Sequence, residues 1–455
     1  MDAICSRTTY IRCKSKGQSS DSYWNNLEVF NVMQIMQTMK RLLVVCILCS
    51  LGLLKCSAQS ISAQQDRYLK AFDAVWSTVD QQFYDPSFLG VNWKAVGDRY
   101  RTRVPKIQDD VSFVDLIRQM LHELPTSHLG FRGPDASYDT SIGALLRTID
   151  GKDVVSDVWF GTDAERKGLK QGDTILSSQK DLDGVWGSFA NVRVLTCDGQ
   201  QKQLSIRRED YGAPFERPSV RWQLFEPSST QKIGYMHIQH FEDDFAPVVD
   251  QAMSEMADTS ALIIDVRNNS GGNASYIRLV SYLTAKPHMV FALLSRPYLN
   301  QFGNAPQKMD PKMMLRLPNV TGAYTSARII AAFEDNNGGA AFYSEDVGSR
   351  KYHGKVIVLV NQETASAAEG FAAIMKQEPN VTLIGQPTAG AVVGAESFPI
   401  PGGWNLAVPT HSAWLGNGDI YRDEKTSPNI FVPLTKVDLC SQRDTVLDKA
   451  LDLVE

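Results

Sequence analysis

The sequence predicts an α/β protein, with an α/β core towards the C-terminus preceded by a helical region and a small β-domain. Three observations carry that expectation. Strands alternate with helices from about residue 217 to 438, short strands between tight turns fill about 138–209, and apolar residues recur at helical spacing from about 64 to 123. With 455 residues, the chain can form two or three domains, each burying its own core. The expected division is an N-terminal extension and signal peptide over 1–58, a helical region over 59–137, a β-domain over 138–210 and an α/β domain over 211–455. Within the last, residues 286–354 read as irregular and are expected to form an insertion or lid.

The N-terminal segment has the form of an export address. Lys40-Arg41 precedes the apolar stretch Leu42 to Leu54, and Cys56-Ser57-Ala58 supplies small residues at a cleavage position. The stretch is short for a membrane span, so cleavage near Ala58 is expected to leave no stable span. A periplasmic or secreted mature protein follows, with residues 1–38 as an extension upstream of Met39. Acylation at Cys56 is the weaker reading because Lys55 stands where a small residue is usual, and an uncleaved anchor is the other alternative.

In the helical region, Leu69, Phe72, Val75, Trp76, Val79 and Phe83 form one apolar stripe, and Phe113, Leu116, Ile117, Met120 and Leu121 a second. Ser112, with Asp115 three residues on, reads as the N-cap of the second helix. The segment ends in Leu124-Pro-Thr-Ser127-His128. The β-domain is marked by turns at Gly143, Asp150-Gly151, Gly172-Asp173 and Asp198-Gly199. Its stretch from Ala164 through Gly168 and Gly172 to Leu176 resembles the helix-turn-strand signature of a PDZ domain. That fold binds an extended peptide by adding it to a sheet edge; the alternative is a domain that only braces its neighbour.

In the core, Ile233 to Gln239 reads as a strand, Phe245 to Ala257 as a helix and Ala261 to Val266 as an apolar strand. That strand runs into Arg267-Asn-Asn-Ser-Gly-Gly272, and Lys355 to Val360 is a second buried strand. A helix from about Ser366 to Lys376 and a strand from Val381 to Ile384 follow, a rhythm that implies largely parallel strands.

Formal charge excludes one class of function. Forty-six basic residues against 51 acidic leave a net charge of −5, with no long Lys/Arg run to meet nucleic acid. Cys46 and Cys49 have the spacing of a metal or redox pair but lie in the apolar run with no second pair. Cleavage near Ala58 would leave Cys197 and Cys440, and whether they pair is open.

Two turns are suited to chemistry. Glycines 271 and 272 follow a buried strand and allow close backbone approach, so that N–H groups can face a ligand oxygen. Ser366 stands where a strand turns into a helix, with unpaired N–H groups and the positive end of the helix dipole beside it. Taken alone it reads equally well as a plain N-cap.

Arg267-Asn-Asn-Ser-Gly-Gly272, Thr364-Ala-Ser366-Ala-Ala-Glu369 and Gly385-Gln-Pro-Thr388-Ala-Gly390 together resemble the tail-specific (C-terminal processing) serine peptidase family, in order and rough spacing. Ser427-Pro428-Asn-Ile-Phe-Val432 and Arg443-Asp444 through Leu451 are similar to its ending. The resemblance implies a crotonase/ClpP-like α/β catalytic core and Ser366 as nucleophile. Where the Ser-Lys branch has its lysine, this sequence has Ala391, and Leu124 to His128 looks like the His motif of the tricorn-core branch. By that resemblance His128 is the base, Ser127 assists it, and the N–H of Ala367 with one from Gly271 or Gly272 forms the oxyanion hole. The family's acid falls by count on Arg422; a small deletion would make it Glu424, and Asp423 is adjacent. Asn429, where the family commonly has Asp, is a further departure. The implied function is an exported serine endopeptidase acting on peptide or protein substrates without a cofactor or metal. The alternative is a catalytically inactive peptide- or ligand-binding protein on the same fold.

Overall fold

The computed structural model describes residues 63–454 except 134–139, 211–217, 229–230, 335 and 337. Arg67–Glu455 form one compact unit. The expectations for the signal segment, Cys46, Cys49 and Cys56 lie outside the described residues. Among the described residues no helix is long and apolar enough to cross a membrane.

Apart from the β-domain, the chain builds two larger sheets. The first has six strands in the order Ile430–Phe431, Val381–Gly385, Lys355–Val360, Ala261–Asp265, Gln231–Ile238 and Val220–Ser228. All neighbours are parallel except the last pair. Its central strands are buried on both faces, which is why they read as unbroken apolar runs. Leu262, Ile264, Val356 and Val358 pack towards the helices Phe245–Glu255, Ile277–Leu283 and Ala367–Met375. Ile263, Ile357, Leu359 and Ile384 pack the other way, with Val446 and Ala450 of the helix Thr445–Asp452. Arg267 ties the turn after Ala261–Asp265 to that helix: it pairs with Asp265 at 2.6 Å and with Asp444, the helix N-cap, at 2.7 Å.

The second sheet is mostly antiparallel and draws strands from residues 286–354, a stretch that reads as irregular in sequence. Met289–Ser295 and Gly339–Tyr343 are neighbouring antiparallel strands in seven-stranded order with Trp404–Leu415 and Gly130–Arg132. Phe291 and Phe342 are buried core residues, so this segment is no appended loop. Met289–Ser295 is apolar on both faces and lacks the alternation that marks a strand in sequence. The sheet packs on the N-terminal helices through Phe72, Phe113, Ile117, Leu294, Leu406 and Trp404. The helix Asp110–Leu121 begins earlier than the Ser112 cap predicted: Asp109 is the N-cap and accepts the Ser112 N–H at 2.7 Å.

Residues 144–207 form a five-stranded antiparallel sheet with its own core around Val155, Ala164, Val192 and Ile206. The helix Asp163–Arg166 and strand Thr174–Ile175 flank the turn at Gly168 and Gly172. Ala144–Ile149 is an edge strand of this sheet. Cys197 and Cys440 form a disulfide, Cα atoms 5.6 Å apart, that fastens this module to the helix Lys436–Ser441. Gly172 is required there: at φ +87 an added Cβ would lie 2.6 Å and 2.7 Å from the two sulfurs.

Candidate active site

The surroundings of Ser366 are built from two strand-to-helix turns held together by backbone and amide bonds. Buried Asn269 donates to Ile238 O at 3.0 Å and accepts the Gly271 N–H at 2.8 Å, while its carbonyl takes the Ala365 N–H at 3.0 Å. Asn268 and Asn361 exchange two bonds, 2.7 and 3.0 Å, between the same turns. Gly271 meets Ser366 so closely that a Cβ there would sit 2.5 Å from the serine Cβ, and at Gly272 it would sit 2.0 Å from Phe241 O. Both positions therefore demand glycine.

Ser366 precedes the helix Ala367–Met375 with φ 53 and ψ −124, a sparsely populated conformation for a non-glycine residue. Its N–H donates to Ala391 O at 2.6 Å, which holds the strained residue in place. Its hydroxyl makes no capping bond, so the plain N-cap reading does not describe it. Among the described residues no acceptor takes the N–H of Ala367 or of Gly272, whereas that of Gly271 is already given to Asn269. Of the two glycines expected from sequence, Gly272 thus has the free donor.

One contributor stands inside a sequence motif but was given no role there. Glu369, fully buried one turn into the same helix, accepts Gly390 N–H at 3.0 Å, Ala391 N–H at 2.8 Å and the Thr388 hydroxyl. It fixes the turn whose Ala391 carbonyl holds Ser366. A Glu three residues into a helix reads as a first-turn acid, and nothing in sequence spacing shows that a distant turn closes over it.

The acid end joins segments 296 residues apart. Asp423 Oδ1 accepts the Ser127 hydroxyl at 2.6 Å, and its Oδ2 the Ser127 N–H. Val392 N–H, next to Ala391, donates to Oδ1 at 3.2 Å. Ser127 Oγ lies 2.7 Å from His128 Nδ1. The direction of these bonds is determined by proton count. A carboxylate only accepts, so the single hydroxyl proton of Ser127 goes to Asp423, and Ser127 Oγ must accept from Nδ1–H. The neutral imidazole is then left with a bare Nε2, the tautomer that can take a proton. Glu424, the acid first expected, is exposed, and among the described residues it makes no bond to Ser127; it lines a cleft with Tyr84, Asp85, Arg422 and Asp423. The chain bends at Asp423, with the Glu424 N–H turned back to the Arg422 carbonyl, and it is Asp423 that meets Ser127.

His128 has φ 58 and keeps an edge open to solvent, though protein surrounds the rest of the ring. Burial lowers its pKa below the ordinary histidine value, and the Asp423 charge opposes that shift. His411, which had no sequence context, joins the same region. It lines a cavity with Ser366, Ala367 and Gly272, and its pKa is pushed down to about 4 by burial and by the charge His128 can carry.

The sequence from 232 to 432 matches the family model for peptidase family S41, and residues 65–122 match that for the tricorn protease C1 domain. Two tricorn protease homologues of Streptomyces coelicolor are 23% and 21% identical over 84% of the chain, which spans only 32% and 34% of their length. A C-terminal processing peptidase of Tetradesmus obliquus chloroplasts is 24% identical over 73% of the chain and 69% of its own. Among solved structures, mature CPAF in complex with lactacystin superposes with a TM-score of 0.60 at 14% identity, over 86% of this chain and 98% of that one. The photosystem II D1 C-terminal processing protease gives 0.52 at 19% identity, over 82% and 96%. These two likenesses speak to the fold.

Proposed function

We propose that the chain, a member of peptidase family S41, the tail-specific serine peptidases, is an exported endopeptidase in which Ser366 and His128 hydrolyse peptide bonds in peptide or protein substrates, with Ser127 and Asp423 setting the histidine tautomer. The observation that carries this reading is the Asp423–Ser127–His128 chain of hydrogen bonds, 2.6 and 2.7 Å, which leaves Nε2 as the acceptor.

Ser366 Oγ attacks the substrate carbonyl as its proton passes to His128 Nε2. The oxyanion is met by the N–H groups of Gly272 and Ala367, each worth about 3 kcal/mol of transition-state stabilisation in comparable sites. His128 then gives the proton to the departing amine, and the bond from carbonyl carbon to nitrogen breaks to leave an acyl-Ser366. Water repeats the sequence with His128 as base and restores the serine. The edge strand Ala144–Ile149 is suited to hold an extended substrate segment by strand addition, which fits a processing peptidase that grips a chain end. The Cys197–Cys440 disulfide supports an oxidising compartment.

A fluorophosphonate serine probe tests the reading on the purified chain. Wild type should be labelled at Ser366 and should cleave a protein substrate; Ser366→Ala should abolish both, and His128→Ala should slow labelling by at least about 10³-fold. Labelling that survives Ser366→Ala, or none in the wild type, would return the protein to the binding-only alternative.

A further inference from the structure

Beside Ser366 lies a cavity of about 230 Å³. That is smaller than the roughly 300–1,000 Å³ of pockets that enclose whole small molecules, and suits a single side chain. Its floor is the face of the nucleophile helix presented by Ala367, Gly370 and Ile374, and its walls include Phe291, Leu293 and Leu415. Gly272 and Ala367, whose N–H groups no described residue accepts, both line it. A carbonyl held there places the side chain of its own residue in this cavity.

The outer wall is the helix Ser326–Glu334, in which no described residue is buried. Ile329 and Ile330 face the cavity, and Phe333 sets its ring 5.1 Å from that of His411. Asp243 holds the start of this helix by accepting the Ser326 N–H at 2.8 Å and hydroxyl at 3.0 Å. A helix with an apolar face and no buried residue needs something to cover that face.

One polar group breaks the apolar lining. Tyr276 is 94% buried, its residue being 6% exposed, with its ring packed among Phe241, Phe291 and Phe371. Its hydroxyl points at Gly370, where an added Cβ would lie 3.3 Å from it, and no described residue hydrogen-bonds to it. Buried tyrosine hydroxyls ordinarily have a partner. His411 is neutral at working pH, so the cavity holds no net charge.

We infer that this cavity is the specificity pocket for the residue on the acyl side of the cut, that it takes a large aromatic side chain, and that Tyr276 selects tyrosine by bonding its hydroxyl. This rests on the proposed role of Ser366. Glycine at 370 leaves the space through which the two hydroxyls meet. The helix Ser326–Glu334 closes over the ring, and Ile330 lies against its edge.

Peptidyl diphenyl phosphonates that differ only in the side chain next to phosphorus test this directly, because they report capture by the nucleophile without turnover. Labelling of wild type should be fastest for tyrosine, about tenfold slower for phenylalanine and at least about 100-fold slower for glutamate and lysine. Tyr276→Phe should erase the tyrosine advantage, so that the tyrosine and phenylalanine rates come together. Ile330→Glu, at a position 53% exposed and so tolerant of the change, should raise the lysine rate. Ser366-dependent labelling with no aromatic preference, or a tyrosine advantage that survives Tyr276→Phe, would overturn the pocket assignment alone. Labelling that ignores Ser366→Ala, or fails with every probe, would overturn both it and the nucleophile.

Discussion

The two ends of the site are built in different ways. The nucleophile end is local: each turn is a short stretch in which strand, glycine or serine, and helix follow one another, and two asparagines stitch the turns together. The acid end is assembled: Ser127 leaves the N-terminal helices, Asp423 comes from near the end of the chain, and Val392 adds a third donor. A local device is tuned by backbone conformation and tolerates almost no change of shape. An assembled one depends on a few side-chain bonds, so it can be broken electrostatically while the fold stands.

That difference predicts opposite responses to removing a carboxylate. Asp423→Asn keeps the shape but brings an NH₂ group towards Ser127. If that group donates to Ser127 Oγ, the hydroxyl proton turns to His128 Nδ1, and Nε2 becomes the protonated nitrogen. If it turns the other way, it faces the Ser127 N–H. Either way the base is lost or misplaced, and kcat/KM should fall by about 10³–10⁴-fold with the melting temperature little altered. Glu424→Gln, one residue on but outside the network, should stay within a few-fold of wild type. Equal losses from the two would remove Asp423 from the mechanism.

Glu369 is the counterpart at the nucleophile end. Glu369→Leu fills much the same space but leaves the N–H groups of Gly390 and Ala391 and the Thr388 hydroxyl without their acceptor. Unpaired buried donors at about 1–3 kcal/mol each set an expected loss of roughly 3 kcal/mol in unfolding free energy. Calorimetry or urea titration reads it. Activity should fall as well, since the Ala391 carbonyl that holds Ser366 loses its support. A variant as stable as wild type would show that the turn is held by something other than Glu369.

The same contrast explains what the sequence could convey. The nucleophile helix, the buried parallel strands and the Gly271-Gly272 turn were legible because their signals are contiguous: apolar runs, glycines at a strand end, a serine at a helix start. Met289–Ser295 and Gly339–Tyr343 were not, because strands covered on both faces lose their alternation. The choice between Asp423 and Glu424 depended on a bend at Asp423, and the role of Glu369 on a turn 19 to 22 residues away. His411 is the plainest case. A histidine in the middle of a long strand carries no signature; its strand pairs through it with Ser295 on one side and Gly394 on the other, and the assembled sheet puts it on the cavity that Ser366 lines.

The smallest effect separates the two influences on His128. Burial lowers its pKa and the Asp423 charge raises it, with burial the larger. Because the base must be neutral, a lowered pKa keeps it competent as pH falls. The acid limb of kcat/KM should therefore lie below about 6.5, the value of an unperturbed histidine. The residual activity of Asp423→Asn carries the sharper information. With the opposing charge gone, only burial remains, so its acid limb should move further down, even though its rate is far lower. A limb that moved up would mean that Asp423 does not stabilise the imidazolium, and the hydrogen-bond chain through Ser127 would then orient the ring without charging it. An unmoved limb with the rate still lost would assign Asp423 to the tautomer alone.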